Sequence, residues 1–317
     1  MKPAFSIIFF TVASGAGLGL LALAALFDLV STNALPSQAL WRSALLALIL
    51  IAAGLASSTM HLANPKNAWR SLARVRTSWL SREAASALAL FPVAALYLAL
   101  AAKGNAGSAR AIVAFASVLL AWAVLFCTAM IYASLKPIRQ WHTWWTPVNY
   151  VLLGHWSGAL LLATIASADA AAPVGLWILA TVLGFAALAA KLAYWVWVGS
   201  RGGTTLSHAV GVDAGVRAPG APASVRARLF DAGHSRATFL TDEFGFVVAR
   251  RHATSLRAIA LGLGFGLPLV YLIWGDGRWQ ATLAVALCCI VGLLVERWLF
   301  FAEARHTVRL YHGDART

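Results

Sequence analysis

The stretch FSIIFFTVASGAGLGLLALAALFDLV occupies residues 5–30 and is apolar almost throughout. Its length exceeds the roughly 20 residues that a helix, rising about 1.5 Å per residue, needs to cross a hydrocarbon core about 30 Å thick. The apolar region of a secretory signal peptide is shorter, at about 7–15 residues. We therefore interpret this stretch as a retained transmembrane helix.

Seven further apolar segments of similar length follow along the chain, at residues 40–60, 84–102, 111–135, 146–167, 174–198, 255–274 and 278–301. Charged residues make up 11% of the sequence, against about 25% in a soluble domain, and the mean hydropathy is +0.76. These values exclude a soluble protein. The sequence predicts an all-α fold, a polytopic membrane bundle of eight transmembrane helices that forms one domain over residues 1–317.

Lysine and arginine are distributed unequally between the two ends of the predicted helices. Both termini and loops two, four and six share one side, here called the basic side. It carries 21 of the 25 Lys and Arg residues when Lys191 and Arg297 are assigned to the nearer helix end. The opposite side carries Arg42, Lys103, Arg110 and Arg278. The positive-inside rule then predicts a multi-pass protein of the cell inner membrane with cytoplasmic termini. The net charge of +14 thus indicates topology and contact with membrane lipid, and no nucleic-acid partner is expected.

One connection is much longer than the others. Residues 199–254 form a polar insertion whose first half, rich in Gly, Ala and Arg, resembles a flexible linker. The second half regains apolar spacing and predicts a surface helix that leads into segment seven. Loops of this length are usually functional or disordered, and we favour a docking surface for a soluble partner.

Tryptophan and glycine positions agree with a membrane bundle. Twelve of the 14 Trp residues lie near predicted helix ends, as an aromatic belt requires. The glycine groups at 15, 17 and 19 and at 262, 264 and 266 are suited to close helix packing. The three cysteines, Cys127, Cys288 and Cys289, fall inside apolar segments and are interpreted as core residues, so no metal site and no disulfide is expected.

Few ionisable residues are expected inside the segments, and the deep candidate among them is His155. A hydrogen-bonded core histidine is the simpler interpretation. A haem ligand would require a second histidine at similar depth, and the sequence offers none, so no haem is expected in this chain. A transporter is disfavoured because charges near the membrane midplane and internal repeats are not evident.

The strongest candidate site lies at the basic-side rim, where His61 ends segment two and Glu83 begins segment three. Imidazole can hydrogen-bond a quinone carbonyl and change charge near neutral pH, while the carboxylate can exchange a proton with water. Two structural alternatives for Glu83 remain open. Its carboxylate could simply stabilise the N-terminus of a helix that Ser81 caps, or the neighbouring Arg82 could neutralise its charge. The predicted pocket walls come from the next basic-side connection and comprise Tyr132, His142 and Trp145.

The motifs around these residues resemble one family. GLASSTMHLANPKNAWRSL, followed by SWLSREAAS, resembles the membrane-anchor subunit of the dimethyl sulfoxide reductase family, as do FSIIFFTVASGAGLGLL, YASLKPIRQWHTWWTPVNYVLLG and LLVERWLFFAEARH. The likeness covers all eight segments. It implies a haem-free subunit that anchors a molybdopterin catalytic subunit and an iron–sulfur electron-transfer subunit. It also implies electron exchange with membrane quinone, either ubiquinone or menaquinone, with His61 at the quinone site and Glu83 as its acidic partner.

Two features differ from the dimethyl sulfoxide reductase branch. The insertion at 199–254 is longer than expected there, and the crowded Trp and Arg residues are more similar to the anchor of the quinone-linked cytoplasmic sulfite dehydrogenase. That resemblance implies sulfite oxidation with quinone reduction. The alternatives are an anchor of a reductase that oxidises menaquinol, a cytochrome subunit with b-type haem, and a small-molecule transporter.

Overall fold

The computed structural model describes residues 3–30, 35–60, 65–104, 106–169, 172–200, 203–210, 248–312, 314 and 316–317. Eight helices in this part of the chain are long and apolar enough to cross a membrane, which confirms the predicted all-α bundle. In chain order they are α1 Phe5–Val30, α2 Ser37–Thr59, α3 Trp79–Ala102, α4 Ser108–Ala133, α5 Trp145–Asp169, α6 Val174–Ser200, α7 (Val248–Leu261, Gly262–Gly266 and Leu267–Trp274) and α8 Trp279–Ala302.

Two helices begin five or more residues earlier than the apolar pattern predicts. Helix α3 starts at Trp79 instead of residue 84, because the Ser78 side chain accepts a hydrogen bond from the Ser81 amide and caps the helix there. Helix α7 starts at Val248 instead of residue 255, so the polar end of the insertion continues directly into a spanning helix. Apolar periodicity marks the part of a helix in lipid, whereas caps and polar extensions decide where it starts.

Helix α1 is the central helix of the bundle. Every residue from Phe10 to Ala25 is buried, and α1 contacts α2, α4, α5 and α8. Glycines on α1 and on its neighbours allow this close packing. A Cβ on Gly17 of α1 would lie 2.8 Å from the Ala47 carbonyl oxygen of α2, and a Cβ on Gly158 of α5 would lie 2.4 Å from the Gly19 carbonyl carbon of α1. The backbones of α1 and α5 therefore cross at glycines, as the spacing in the sequence predicts.

The eight helices form two groups of four. Helices α1–α4 contact one another in the cycle α1–α2–α3–α4–α1, and α5–α8 form the equivalent cycle. The α1–α5 crossing, with α4–α5 contacts beside it, joins the two groups. The sequence shows no evident repeat, yet both halves have the same order of neighbours, because helix packing depends on the pattern of small and apolar residues and not on their identity.

Helix α7 contains a π-helical turn at Gly262–Gly266. The Gly264 carbonyl there accepts a hydrogen bond from the Trp156 indole N–H of α5 at 2.9 Å and faces the Cys289 thiol of α8 at 3.3 Å. A Cβ on Gly292 of α8 would lie 2.2 Å from the Gly264 nitrogen. Of the three predicted packing glycines in α7, Gly264 therefore makes the close contact.

The cysteines and the outward-facing tryptophans occupy the predicted environments. Cys127 and Cys289 are buried, Cys288 is partly buried, and all three are free thiols, which confirms their interpretation as core residues. Trp69 and Trp144 at the basic side are exposed, as are Trp274 and Trp279 at the opposite side. Exposed tryptophans at both ends of the spans are typical of an aromatic belt.

The basic side is built from loops and the C-terminal segment. A 3₁₀ helix, Pro65–Arg74, follows α2, and a helical turn at Leu206–Ala209 follows α6. The backbone of Thr204 pairs with that of Thr317, with N–H to O distances of 3.0 and 3.1 Å. Most of the 199–254 insertion, including the predicted surface helix before residue 248, lies outside the described residues, so its docking role stays a prediction.

Candidate functional site: buried polar groups on the basic side

Glu83 lies inside helix α3 and not at its start. Because Ser78 caps the helix, the predicted cap Ser81 belongs to the first turn, and Glu83 falls in the second. The favourable effect of a helix N-terminus on a carboxylate fades beyond the first turn. Glu83 is 3% exposed, so neither helix capping nor solvent accounts for a carboxyl group at this position.

The Glu83 carboxyl group contacts a hydroxyl that has a second partner. The Thr128 hydroxyl of α4 is hydrogen-bonded to Glu83 Oε1 and also lies 2.9 Å from the Val124 carbonyl oxygen. A hydroxyl carries one proton, so it either shares that proton between the two acceptors or, when Glu83 is protonated, accepts a hydrogen bond from the carboxyl group. The contact is therefore compatible with both protonation states of Glu83.

Arg82 does not neutralise Glu83. Its guanidinium donates to the carbonyls of Val75 at 2.9 Å and Arg76 at 2.8 Å, and it lies 4.2 Å from the ring centroid of Trp79. Among the residues that the structure describes, Glu83 forms no ion pair. The alternative interpretation of Arg82 as its counter-ion is therefore wrong.

Two of the predicted pocket residues lie at a group of packed rings. This aromatic cluster comprises Tyr132, Trp141, Tyr150, Tyr194, Phe300 and Phe301. Tyr132 follows Thr128 by one turn of α4 and stacks on Tyr150 with 5.7 Å between ring centroids, and Trp145 packs against the cluster from the start of α5. Tyr132 also lies within electrostatic range of Glu83. The predicted partner His61 lies outside the described residues.

His142 is placed on a different surface. Its Nδ1–H donates to the Ala133 carbonyl at 2.6 Å, and it lines a groove with about 260 Å³ of water-accessible volume, together with Met130, Ala133, Thr143, Trp144 and Pro147. Successive residues of a helix are rotated by about 100°. Met130 and Ala133 therefore lie on a different face of α4 from Thr128 and Tyr132. The structure thus separates His142 from the Glu83 contacts.

His155 is a hydrogen-bonded core residue, as the simpler interpretation holds. Its Nε2 accepts the indole N–H of Trp122 at 2.9 Å, and its Nδ1–H donates to the Val151 carbonyl at 2.8 Å. Both ring nitrogens are therefore occupied, and His155 offers none to a haem iron.

The membrane interior holds more charge than the apolar pattern predicts. Lys191 of α6 and Glu296 and Arg297 of α8 are at most 3% exposed. Lys191 and Arg297 lie nearer the basic-side ends of their helices, as assigned, but they are buried inside the bundle. Glu296 accepts from Arg297 through both carboxylate oxygens, one of them at 2.8 Å from Nη2, and pairs with the Lys191 ammonium. We name these three residues the Lys191–Glu296–Arg297 cluster. It contains two cations and one carboxylate.

A second buried ion pair lies at the opposite end of the bundle. Arg110 of α4 donates to Asp28 of α1 at 2.8 Å, and the Tyr97 hydroxyl of α3 donates to the same carboxylate at 3.3 Å. This pair is balanced, and it joins three helices of the first group.

A sequence signal for these residues exists in retrospect. Each lies within a long apolar run, and a residue of opposite sign occurs at matching depth, either on another helix or, for Glu296 and Arg297, at the next position. A charge in hydrocarbon needs a partner, so such matching depths favour an ion pair over a position at the helix end.

Comparisons with known proteins agree with the motifs on the basic side. The chain is 34% identical to the C subunit of the sulfite dehydrogenase of Allochromatium vinosum over 98% of this chain and 99% of that protein. It is 29% identical to the C polypeptide of the anaerobic dimethyl sulfoxide reductase of Escherichia coli K12 over 38% of this chain and 44% of that protein. The family described as DMSO reductase anchor subunit (DmsC) matches residues 1–302. The chain therefore belongs to the DmsC family of DMSO reductase anchor subunits and is a membrane anchor subunit of an oxidoreductase complex of the DMSO reductase and sulfite dehydrogenase type.

Proposed function

We propose that this chain is a haem-free, quinone-reactive anchor that passes electrons between an iron–sulfur subunit and membrane quinone. The iron–sulfur subunit connects it to a molybdopterin catalytic subunit, and the complex oxidises sulfite while reducing quinone. The match to the sulfite dehydrogenase protein, which spans nearly all of both sequences, supports this direction. The match to the dimethyl sulfoxide reductase protein is partial, so oxidation of menaquinol is the alternative.

Glu83 is the observation that carries the quinone site. Reduction of a quinone consumes two electrons and two protons, so the site needs a group that exchanges protons beside the headgroup. A buried carboxyl group, hydrogen-bonded to Thr128 and without an ion-pair partner among the described residues, fits that task. His61 follows the end of α2 on the same side, and we assign to it the hydrogen bond to the quinone carbonyl.

The described surroundings of Glu83 fit an aromatic headgroup. Thr128 is neutral and the Tyr132 ring is partly buried, so the neighbouring wall is mostly apolar, as is typical of small-molecule sites. Trp145 extends this wall through the aromatic cluster. His142 lines the groove on another face of α4, and we assign it to the approach of the quinone tail and not to the headgroup.

The exposed basic surface beside this site fits an iron–sulfur subunit. Lys66, Arg70, Arg74 and Arg76 are all exposed after α2, and Trp69 among them is 68% exposed. Acidic patches on a docked subunit would contact this surface, fixing its orientation more than supplying affinity. Such docking brings the redox centre of the partner close to Glu83. It also requires cytoplasmic termini in the inner membrane, and a periplasmic reporter signal from a C-terminal fusion would contradict this orientation.

Two substitutions in the assembled complex test the site. His61→Ala and Glu83→Gln are each expected to lower sulfite-dependent quinone reduction by about 100-fold or more, the range for loss of a positioned acid or base. Reduction of a water-soluble acceptor that bypasses the anchor should continue in both variants. The matched controls are His208→Ala, an exposed basic-side histidine, and Asp276→Asn in the loop between α7 and α8.

The outcomes separate the proposal from its alternatives. Loss of quinone turnover in both site variants, with normal controls and assembly, supports the assignment. Native quinone kinetics in both site variants would overturn it. A complex that reduces dimethyl sulfoxide with menaquinol and does not oxidise sulfite would support the anchor role and overturn the proposed direction.

A further inference from the structure

The Lys191–Glu296–Arg297 cluster has no role in the site described so far. Two cations and one carboxylate are buried about 7–14 Å from the basic-side ends of α6 and α8, at about 1.5 Å per residue. Burial of an ion pair contributes little net stability, because desolvation offsets most of the attraction. Charged residues in a spanning segment commonly mark pathways for ions or protons.

Aromatic residues connect this cluster to Glu83. Tyr132 stacks on Tyr150 at 5.7 Å, and the Arg297 guanidinium lies 4.6 Å from the Tyr150 ring centroid. Both tyrosine hydroxyls lie within electrostatic range of Glu83 and of Arg297. The groups thus form a row across α3, α4, α5 and α8.

A small cavity lies beside this row. Its polar lining comes from Thr11, Tyr150, Ser157, Glu296 and Arg297, and its water-accessible volume is about 20 Å³. That volume holds about one water molecule. The buried Tyr150 hydroxyl lies near Arg297 and Tyr132 but makes no well-formed hydrogen bond to the described residues, and leaving a buried hydroxyl unsatisfied is unfavourable. A water in this cavity would satisfy it and face Glu296.

A second unsatisfied atom lies near Lys191. Asn149 donates through Nδ2 to the carbonyls of Trp145 at 2.8 Å and Ala190 at 3.4 Å, while its Oδ1 has no partner in the described part of the chain. The polar region beside the cluster therefore includes a second buried acceptor, at the interface of α5 and α6.

The other end of the row reaches the basic-side surface. The Lys191 ammonium lies 5.3 Å from the Trp195 ring centroid, as does the Arg257 guanidinium. Arg257 donates to Glu303 at 2.8 Å, and their side chains are 37% and 18% exposed. Burial raises the pKa of the Glu303 carboxyl group, although Arg257 opposes the effect. A carboxyl group at this boundary can exchange protons with water.

We infer that Tyr150, the cavity water, Glu296 and Lys191 form a proton-transfer route between Glu83 and the basic-side surface at Glu303. This inference rests on the proposed quinone site, since the route serves Glu83. Arg297 stays protonated and acts as a positioning residue that holds the Glu296 carboxylate beside the cavity.

The proposed route supplies the protons that quinone reduction consumes. Each quinone receives two electrons from the iron–sulfur subunit and two protons, and each proton delivered to Glu83 is replaced by one taken up at the surface. The hydroxyl, the water and the carboxylate each accept one proton and release another. The Lys191 ammonium first releases a proton and then accepts its replacement, so the protonation of every group is restored after each transfer.

Tyr150→Phe tests the route with little structural disturbance. It removes a hydroxyl that makes no well-formed hydrogen bond to the described residues and keeps the ring that Arg297 and Tyr132 contact. We expect quinone reduction by the whole complex to fall at least tenfold, with a larger solvent deuterium isotope effect. Assembly and reduction of a water-soluble acceptor are measured in parallel. The matched control is Tyr97→Phe, a buried tyrosine at the opposite end of the bundle, which should leave the quinone rate and its isotope effect unchanged.

A purely structural role for Tyr150 would leave the isotope effect at its native value. Native quinone turnover in Tyr150→Phe, together with loss of turnover in Glu83→Gln, would overturn the route and leave the quinone site standing. Native turnover in Glu83→Gln would overturn both. A structure of the complex that shows water bound to the Tyr150 hydroxyl and Glu296 would support the route, and a dry cavity would contradict it.

Discussion

Glu296→Gln is expected to destabilise the protein far more than Lys191→Met, although the two side chains belong to one ion pair. Glutamine removes the carboxylate that Lys191 and Arg297 share and leaves two buried cations without it. Removing one partner of a buried ion pair costs about 3–5 kcal/mol. Methionine removes the surplus cation and leaves Glu296 and Arg297 as a balanced pair with two contacts, so its expected cost is about 1 kcal/mol or less.

Thermal unfolding in detergent, followed by a thiol-reactive dye, measures this difference. Cys127 and Cys289 are buried free thiols, so their reaction with the dye reports loss of helix packing. At about 2–4 °C per kcal/mol, Glu296→Gln should lower the midpoint by on the order of 10 °C, and Lys191→Met by a few degrees at most. Asp276→Asn, an exposed loop variant, should match the native midpoint. Equal losses in Glu296→Gln and Lys191→Met would refute the reasoning, because a surplus cation would then be as necessary as its carboxylate.

Three further predictions follow from the packing. Gly158→Ala places a Cβ 2.4 Å from the α1 backbone and should lower stability by about 1–3 kcal/mol or more, whereas Gly199→Ala, which meets open space, should not. Asp28→Asn leaves Arg110 buried without its charge partner and should cost about 3 kcal/mol, while the quinone turnover of the folded complex stays native. The purified chain should show no b-type Soret band, because His155 commits both ring nitrogens; a band lost in His155→Ala would contradict this.

The spans are predictable from sequence because hydrocarbon thickness fixes their length. Residues 5–30 agree with α1 at both ends, since no cap or polar extension alters that helix. The start of α3 is not predictable from the apolar pattern, because Ser78 and Ser81 are both plausible caps and the choice depends on which backbone amide each hydroxyl meets. The glycines of α1 predict close packing, but not that α5 is the partner.

The site is predictable only in part. Glu83 is predictable as a site residue because it is a carboxyl group at the boundary of an apolar segment. Tyr132 is predictable because it lies at the next connection on the same side. The contact of Tyr132 with Tyr150, and of Tyr150 with Arg297 of α8, joins residues far apart in sequence. The sequence groups His142 with Glu83 because both lie on the basic side, and only the rotation of α4 shows that they occupy different faces.

The two buried charge groups differ in a way that favours different roles. Asp28 and Arg110 balance each other, and Tyr97 completes the hydrogen bonding of the carboxylate, which is sufficient to join α1, α3 and α4. Glu296 and Arg297 would form an equally balanced pair on their own, so Lys191 adds a desolvation cost that helix packing does not require. That extra cation interacts with Glu303 near the basic-side surface, while the unsatisfied Tyr150 hydroxyl interacts with Glu83 and its side chain lines the cavity. A structural clamp explains the balanced charges of the first group, in which Arg110 Nη1 has no hydrogen-bond partner among the described residues. The second group has a surplus cation, Lys191, and lies beside the unsatisfied Tyr150 hydroxyl, and the proposed proton route gives both of them a role.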